Sequence, residues 1–343
     1  MAAPRSTGLL VGAGYFAQFQ AEAWRRIPAA QILAVVDPDE PKAQAFAERF
    51  HIPRTYPSLE KALAAEKPDF VDIATRPETH LALTRLAACS KVHVICQKPM
   101  APTWDECLAM VESCSAASVR LLMHENWRWQ PWYREIKQIL GSGILGEVFQ
   151  FSAQWRTGDG RGEYPYASQP YFAEMPLLLV HETLVHLLDT FRFLGGELAS
   201  VYCTNRRINP VLAGEDLSLI LVTFKSGVPG LIDANRISGP VPAPVAMNTL
   251  AVEGNLGLVQ LSADGRLFVT RHGQGQAEHF YDIPTAGYKG DSVRATQQHL
   301  LDALASGRRS ETDGREYLKT VEAVFACYKS ALLGQVVNLS YAN

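Results

Sequence analysis

Acid and base side chains stand about one helical turn apart in the middle of the chain. The run His181-Glu182-x-x-x-His186-x-x-Asp189 lies in a segment with a helical pattern over residues 180–194. Glu182 and His186 are four residues apart and would share one face, with Asp189 on the same side. An imidazole beside a carboxylate suits proton transfer, whereas the two histidines are five apart and do not fit the zinc-protease spacing. We predict no metal site, and the alternative for His186 is a buried structural histidine.

A lysine follows a predicted buried strand in the first third of the chain. The strand covers residues 92–96, and Gln97-Lys98-Pro99 comes directly after it. Ligands of parallel α/β sheets bind beyond the carboxyl ends of the strands, so Lys98 would face such a ligand. The alternative for Lys98 is an ordinary solvated charge.

The first strand and turn would bring a ligand to that edge. An apolar run at residues 9–11 ends in Gly12-x-Gly14-x-x-Ala17, and a helical pattern follows at once. Gly12 allows a tight turn, Gly14 lets the backbone approach a pyrophosphate, and the small Ala17 permits close packing of the helix. The phosphates would bind at the positive start of this helix. Because glycine-rich turns before helices are common, the turn alone is a weak indication of a dinucleotide site.

The second strand strengthens the dinucleotide interpretation. Residues 31–37 form an apolar run that ends in Asp37, about 20 residues beyond the glycine turn. A carboxylate there would accept hydrogen bonds from the adenosine ribose and would repel the additional phosphate of NADP. Residues 38–41 contain no arginine to hold that phosphate and add negative charge. The pattern favours NAD over NADP, and the alternative is that Asp37 caps the next helix.

The order of the predicted elements indicates two domains. In residues 1–124, buried strands alternate with helices, which predicts an α/β fold with an N-terminal Rossmann, doubly wound parallel sheet. In residues 125–343, a long loop at 157–170 and the helix at 180–194 precede several strands joined by hairpin turns. This order predicts a C-terminal α+β domain with a large, mostly antiparallel open sheet and two final helices, which could pack back on the first domain.

Composition narrows the classes of function. The 343 residues are 47% hydrophobic and 20% charged, which leaves room for about two globular domains. The net charge of −3 predicts no nucleic-acid partner, and no apolar run is long enough to predict a membrane span. The first seven residues contain no apolar leader, and the six cysteines form no Cys-x-x-Cys pair. We therefore expect reduced thiols and a cytoplasmic protein.

Together these features resemble the Gfo/Idh/MocA oxidoreductases over nearly the whole chain. Besides the glycine turn, Asp37 and the lysine segment, the acid-x-x-x-His-x-x-Asp run closes on Leu194-Gly195-Gly196 as in that family. Thr75-x-Pro77 with His80 and the tail from Tyr288 are also similar. The resemblance implies a second domain that carries substrate contacts and an oligomer interface, so we expect a homodimer or homotetramer. It also implies oxidation of a sugar or polyol with NAD or NADP.

Two positions depart from the family pattern. The usual Glu-Lys-Pro is here Gln97-Lys98-Pro99, and the Asp usually found four before the histidine is here Glu182. Gln97 can still hydrogen-bond a ribose, but it removes a charge beside the lysine. Both changes suggest a subgroup with its own substrate. The segments Asn126-Trp127-Arg128 and His181-Glu182-Thr183 resemble those of D-apiose dehydrogenases within the family.

The resemblance places the active site between Lys98 and the helix of His186. It implies hydride transfer from a carbinol carbon to nicotinamide, with His186 as base, Lys98 bonding the same hydroxyl and Glu182 orienting His186 or holding a neighbouring hydroxyl. The predicted cofactor contacts are Gly12, Gly14, Tyr15, Phe16, Asp37, Thr75, Arg76, Pro77, His80, Gln97, Lys98 and Tyr288. The predicted substrate contacts are Lys98, Asn126, Arg128, Trp155, Arg156, Glu182 and His186.

Two other functions remain open at this stage. A glycosidase that oxidises its sugar transiently would hold NAD tightly and release no NADH. An NAD-sensing regulator without catalysis would be favoured by loss of Lys98 or His186, and both are present.

Overall fold

Short apolar strands build a parallel sheet in the N-terminal part of the chain. In the computed structural model, which describes residues 5–340, this sheet has six parallel strands in the order β3-β2-β1-β4-β5-β6. The strands are β1 (Ser6–Val11), β2 (Ala30–Val36), β3 (Arg54–Tyr56), β4 (Phe70–Ile73), β5 (His93–Gln97) and β6 (Leu121–His124). Since all six run the same way, the residues that follow them gather at one edge of the sheet.

Five helices connect these strands. They are α1 (Ala17–Arg25), α2 (Glu40–Phe50), α3 (Leu59–Ala65), α4 (His80–Cys89) and α5 (Trp104–Ala116). At the start of α5, Thr103 Oγ1 accepts a hydrogen bond from the Glu106 amide, and the Glu106 carboxylate accepts one from the Thr103 amide. These reciprocal bonds satisfy two amides that have no partner inside the helix.

Two apolar clusters hold the helices against the sheet. In one cluster, Leu10 and Val35 of the strands pack with small side chains of α1 and aromatic side chains of α2. In the other, Phe70 and Ile95 pack with Trp24 and with a C-terminal helix, Ser292–Ser306. Full burial of a side chain of this size stabilises the fold by about 1.5–3 kcal/mol. The described residues through Asn126, together with Ala286–Lys319, form one compact unit, the N-terminal unit.

A second, larger sheet is built from the remaining strands. Among residues 5–340 it has nine strands in the order β14-β13-β12-β11-β7-β10-β9-β8-β15, all paired antiparallel except β7 with β10. They are β7 (Val148–Arg156), β8 (Leu198–Arg206), β9 (Leu217–Phe224), β10 (Pro229–Asn235), β11 (Asn248–Gly254), β12 (Gly257–Leu261), β13 (Leu267–Arg271), β14 (Gln276–His279) and β15 (Val337–Asn338). The sheet belongs to the second unit, Trp127–Thr285 with the described residues from Thr320 onwards.

Four further helices complete the described chain. They are α6 (Pro131–Gly141), α7 (Val185–Gly195), α8 (Ser292–Ser306) and α9 (Gly314–Leu333). A π-helical turn, Leu179–Leu184, leads directly into α7. Within residues 5–340, none of the helices has the length and apolarity needed to cross a bilayer.

The predicted fold class is confirmed in both sheets. The predicted hairpins appear as the antiparallel pairs β9–β10, β11–β12 and β12–β13. The regular α-helix predicted over residues 180–194 is wrong at its first turn, which is of the π type. The boundary predicted after residue 124 lies two residues before the end of the first N-terminal segment, and α8 is grouped with the N-terminal unit. Residues 1–4, part of the segment from which a leader was excluded, lie outside the described residues.

Candidate active site

The glycine turn after β1 leaves open space beside its backbone. Gly12 has a φ of +103°, and a Cβ added there would lie 2.8 Å from the carbonyl oxygen of Ala74, so a larger residue does not fit. A Cβ added at Gly14 would meet no other atom within 4 Å. Ala17 is fully buried at the start of α1. A narrow turn with free space at its second glycine fits the phosphates of a dinucleotide.

Asp37 fixes this turn from the end of β2. One of its carboxylate oxygens accepts a hydrogen bond of 2.9 Å from the Ala13 amide, and the other accepts one of 3.1 Å from the Asp39 amide. The N-cap of α2 is Asp39, whose side chain accepts from the Lys42 amide. Asp37 therefore does not cap α2, and its buried carboxylate lies beside the glycine turn.

The structure adds a cation that the sequence analysis missed. Lys42 Nζ lies 3.3 Å from Asp37 Oδ2, and the Lys42 side chain is 47% exposed. Residues 38–41, on which the predicted cofactor preference depends, carry only negative charge, and Lys42 follows them directly. The signal was present in the sequence, because a residue in the first turn of the helix after β2 can reach back to the end of that strand.

His80 ties two loops together. Its ring nitrogens lie 3.1 Å from the Met100 carbonyl oxygen and 3.2 Å from the Thr75 carbonyl oxygen. The side chain is fully buried, and burial lowers its pKa. His80 therefore joins the loops after β4 and β5, and its predicted contact with the cofactor stays a prediction. Pro77 is also buried, whereas Thr75 and Arg76 keep accessible surface.

Two polar side chains at the ends of β5 and β6 are buried without a hydrogen-bond partner for some of their atoms. Gln97 Oε1 accepts from the Lys98 amide at 2.7 Å, but Gln97 Nε2 has no partner within the described residues. His124 is paired in register with Gln97, and neither of its ring nitrogens has a partner in that part of the chain. Burial lowers the pKa of His124 to about 4, so its ring is neutral near pH 7. Orphaned buried groups are rare, and a ribose or amide of a bound ligand would satisfy them.

Aromatic rings surround the start of α1. The Phe16 ring lies 6.3 Å from the His124 ring and 5.4 Å from the Tyr288 ring, and Tyr288 lies 4.7 Å from Phe19. Tyr15 is 42% exposed at the turn. The structure therefore brings the predicted residues Phe16 and Tyr288 together, and it adds His124, which was not among the predicted cofactor contacts. The signal for His124 was its place at the carboxyl end of a parallel strand.

Asn126 has a different partner from the predicted one. Its side chain is almost fully buried, and its amide donates a 2.9 Å hydrogen bond to Ser292 Oγ. Ser292 Oγ in turn donates to the Tyr288 carbonyl oxygen at 3.1 Å. Asn126 thus fixes the segment that carries Tyr288, and its predicted contact with substrate stays a prediction.

His186 stacks on an indole in the second unit. Its ring centroid lies 4.3 Å from that of Trp127 at an interplanar angle of 18°, and Trp127 lies 5.4 Å from Trp155. His186 and Trp155 are both buried, and Trp155 Nε1 has no hydrogen-bond partner within the described residues. The stack fixes the plane of the imidazole ring, and the indole N–H of Trp155 is left to donate to a ligand.

Glu182 lies in the π-helical turn that precedes His186. One oxygen of Glu182 accepts from Thr183 Oγ1 at 2.6 Å and from Arg236 at 3.3 Å. Arg236 was not among the predicted residues. Regular i, i+4 spacing does not apply across a π-helical turn, so the shared helical face predicted for Glu182 and His186 lacks its geometric basis. Such turns are frequent at functional sites.

Two arginines predicted to read substrate hydroxyls are held by carboxylates. Arg128 makes two hydrogen bonds of 2.7 Å to Asp189, and both side chains are buried. Asp189 also accepts from Thr320 Oγ1 at 2.9 Å. Arg156 pairs with Asp233 and donates to the Asp233 carbonyl oxygen at 2.7 Å. These pairs give Arg128 and Arg156 internal contacts, and their predicted contacts with substrate stay predictions.

The described residues contain no group of three or more His, Cys, Asp or Glu side chains that could hold a metal ion. The dinucleotide, in contrast, is matched by the cradle at Gly14, the Asp37 carboxylate and the orphaned amide of Gln97.

Comparison with known proteins identifies both halves of the chain. Residues 7–125 match the profile of the oxidoreductase family with an NAD-binding Rossmann fold, and residues 133–259 match the GFO/IDH/MocA C-terminal domain. A D-apiose dehydrogenase of Rhizobium rhizogenes is 34% identical over 97% of this chain and 97% of its own length. A D-apiose dehydrogenase of Paraburkholderia graminis is 36% identical over 98% of this chain and 90% of its own length.

Solved structures show the same architecture. An oxidoreductase from Agrobacterium radiobacter, in complex with NAD+, L-tartaric acid and magnesium, has a TM-score of 0.91 and 33% identity, with 97% of this chain and 98% of that chain covered. A levoglucosan dehydrogenase in complex with NADH and levoglucosan shares the fold at a TM-score of 0.87 and 18% identity, with 98% of this chain and 100% of that chain covered. The chain therefore belongs to the Gfo/Idh/MocA family of oxidoreductases, enzymes that use a nicotinamide cofactor to act on CH–OH groups.

Proposed function

We propose that this enzyme oxidises a carbinol of a sugar or polyol, with D-apiose or a related sugar as substrate and NAD as the preferred acceptor. The observation that carries the proposal is the identity of 34% and 36% to two D-apiose dehydrogenases over almost the whole chain. Both residues expected to act on the hydroxyl, Lys98 and His186, are present in this chain.

The cofactor would be held by three features of the N-terminal unit. The amides of the turn at Gly12 and Gly14 would bind the pyrophosphate, and Asp37 would accept from the adenosine ribose. Gln97 Nε2, now without a partner within the described residues, would donate to the nicotinamide ribose. Tyr15, Phe16, Thr75, Arg76 and Tyr288 remain proposed contacts around these groups. The carboxylate of Asp37 favours NAD, and the neighbouring ammonium of Lys42 lessens its repulsion of NADP.

The chain's own residues would move the hydroxyl proton. NAD, when bound, supplies the acceptor for the hydride that leaves the carbinol carbon. His186 would take the hydroxyl proton, while Lys98 would donate a hydrogen bond to the same oxygen and stabilise its developing negative charge. This pairing of Lys98 with His186 is the one predicted from the sequence. The stack on Trp127 would keep the imidazole plane fixed during the transfer.

Substrate hydroxyls would be held by two groups of the second unit, Trp155 and Glu182. Trp155 Nε1 is a buried donor with no partner within the described residues. Glu182, although bonded to Thr183 and Arg236, would orient His186 or accept from a neighbouring hydroxyl. Arg128 and Arg156 would support the site by fixing Asp189 and Asp233, with which they pair.

A homodimer or homotetramer would form through the large sheet. Tyr202, Leu221 and Leu231 are 38%, 52% and 37% exposed, and they lie side by side because Leu221 pairs in register with both. An apolar group of this kind on a sheet face favours self-association. We expect Leu221→Glu to shift the oligomer to monomer in light scattering, and an unchanged mass would contradict this interface. The six unpaired thiols suit the reducing cytoplasm, where we place the enzyme.

The experiment that tests the proposal measures NADH absorbance with purified enzyme, NAD or NADP, and a panel of D-apiose, other aldoses, inositols and sugar acids. NADH formation with D-apiose or another aldose supports the proposal. Tight NAD binding without net NADH from any sugar would contradict it and would favour the transient-redox glycosidase or the NAD sensor. A parallel assay for release of an aglycone from glycosides separates these two alternatives.

A further inference from the structure

We propose that Arg236 is a positioning residue that holds Glu182 and the segment at residues 157–170 in one arrangement. The inference concerns the second unit alone. It rests on the proposed function in so far as Glu182 serves the dehydrogenase reaction.

One buried guanidinium contacts both partners. Arg236, directly after β10, donates to Thr183 Oγ1 at 3.0 Å and to Glu182 Oε2 at 3.3 Å. On its other side it donates to Asp159 Oδ1 at 3.2 Å and pairs with Asp159 Oδ2. Thr183 Oγ1 also donates to Glu182 at 2.6 Å, so this hydroxyl links Arg236 to Glu182 a second time. Two carboxylates from different parts of the chain therefore depend on the same cation.

The charge of Arg236 persists despite its burial. Burial opposes the cation, but Asp159 and Glu182 outweigh it and raise the pKa of Arg236. The Arg236 guanidinium lies over the Tyr166 ring at 4.4 Å and near the Phe172 ring at 5.3 Å, which adds cation–π attraction. Tyr166 and Phe172 pack with Met175, Leu178 and Leu212 in one buried cluster. The cation thus lies against a cluster that contains Tyr166 of the segment whose carboxylate it binds.

The segment is anchored to Arg236 through the backbone as well. The Gly160 amide donates to the Arg236 carbonyl oxygen at 3.0 Å, and the Tyr166 amide donates to the Asp159 carbonyl oxygen at 2.8 Å. Asn209 Nδ2 donates to the carbonyl oxygens of Gly160 and Gly162. Tyr164 is 89% exposed between these anchors. The side chain of Arg236 is the one contact in this set that also reaches Glu182.

The test compares Arg236→Met with Arg236→Lys, Asp159→Asn and a matched control, Arg266→Met, which removes an exposed arginine paired with Asp264. Initial rates give kcat and KM, and limited trypsin digestion reports cleavage after Arg161 within the segment. NAD binding, followed by tryptophan fluorescence, reports whether the N-terminal unit is intact.

We expect Arg236→Met to lower kcat about tenfold or more, to leave KM for NAD and NAD binding at wild-type values, and to speed cleavage after Arg161. Arg236→Lys should recover part of kcat, because it restores a cation without the forked geometry. Asp159→Asn should speed the cleavage with a smaller loss of kcat, since the contact to Glu182 persists. Arg266→Met should match the wild type.

Wild-type kcat and cleavage in Arg236→Met would overturn the inference. If Arg236→Met does not fold, wild-type cleavage in both Arg236→Lys and Asp159→Asn would overturn it equally. If none of the tested sugars leads the wild-type enzyme to form NADH, the proposed function fails. The cleavage comparison then still decides whether Arg236 holds the segment.

Discussion

Buried polar groups are bonded differently at the carboxyl edge of the first sheet and around the helix of His186. At the sheet edge, Gln97 Nε2 and the ring of His124 are buried without partners within the described residues, and the space at Gly14 is open. Around the helix, charged groups are buried in pairs, Arg128 with Asp189 and Arg236 with Glu182. Incomplete bonding at the sheet edge indicates groups left for a ligand, whereas the paired charges around the helix indicate a framework set before any ligand binds. Near that helix, the indole N–H of Trp155 also lacks a partner within the described residues.

The largest expected effect is on turnover, at the sheet edge. Lys98→Ala should lower kcat about a thousandfold, because the developing charge on the substrate oxygen loses its donor, while NAD binding stays largely intact. Steady-state rates and fluorescence titration with NAD measure the two quantities, and Lys67→Ala, at an exposed lysine, is the control. Near-normal turnover in Lys98→Ala would remove the proposed mechanism.

The second prediction concerns the internal pairs. Arg128→Met leaves the Asp189 carboxylate buried without its cation and should lower the free energy of unfolding by about 3–5 kcal/mol. Urea unfolding followed by fluorescence measures the change. Arg266→Met breaks an exposed pair, in which both side chains are 53% exposed, and should cost less than about 1 kcal/mol. A comparable loss of unfolding free energy in both variants would show that the buried pair stabilises the fold no more than the exposed pair does.

The third prediction uses pH to test the unpartnered imidazole. Burial lowers the pKa of His124 from 6.5 to about 4, so the folded state binds fewer protons than the unfolded state between these values. Stability is therefore full above about pH 6.5 and falls as the pH drops towards 4, by up to about 3 kcal/mol for this group.

His124→Phe should lack this acid-dependent loss. Asp72, whose pKa burial raises to about 7, acts in the opposite direction in both proteins and cancels in the difference. Urea unfolding of both proteins at several pH values between 4 and 7 provides the comparison. Parallel pH dependence in the two proteins would show that His124 does not titrate as described.

The fourth prediction concerns the orphaned amide. Gln97→Leu removes the Nε2 donor and should weaken NAD binding about tenfold, the value of one hydrogen bond to a ligand. Calorimetric titration with NAD measures the affinity. Gln44→Leu, which alters an exposed glutamine on α2, should bind as the wild type does. Equal affinity in Gln97→Leu and the wild type would mean that this amide does not face the cofactor.

The smallest expected effect is on cofactor choice. Lys42→Met removes the cation 3.3 Å from Asp37 and should lower the affinity for NADP relative to NAD by a few-fold, as expected for a half-exposed ion pair. Asp37→Ser should act the other way and favour NADP, since the carboxylate is lost and Lys42 remains. Titration of each variant with both cofactors gives the ratio of the affinities for NADP and NAD. An unchanged ratio in Asp37→Ser would contradict the proposal that Asp37 sets the preference for NAD.

The two regions also differ in how far sequence alone predicts them. The glycine turn, Asp37 and the strand ends are predictable because a parallel sheet places residues that follow its strands at one edge, whatever the rest of the chain does. The partners of Arg128 and Glu182 are not, because Asp189 and Arg236 lie 61 and 54 residues away along the chain. An ion pair between residues so far apart produces no recognisable pattern in the sequence. An arginine that has such a partner therefore cannot be distinguished in the sequence from one that has none.

His80 and Asn126 show the same limit within the N-terminal unit. Both were predicted as ligand contacts because they follow or approach strand ends, and the structure shows that both bond to neighbouring backbone or side chains. Position at the edge of a sheet predicts where a residue lies, but not whether its polar atoms are already satisfied.

The π-helical turn Leu179–Leu184 makes the active-site helix sensitive to chain length. A residue in an α-helix advances by about 100°, so deleting one residue between Glu182 and His186 would rotate Glu182 by about that angle relative to His186. Point substitutions in the turn leave that angle in place. Apart from Glu182 and Thr183, whose side chains bond Arg236, positions 179–184 should therefore accept changes of residue type more readily than changes in their number.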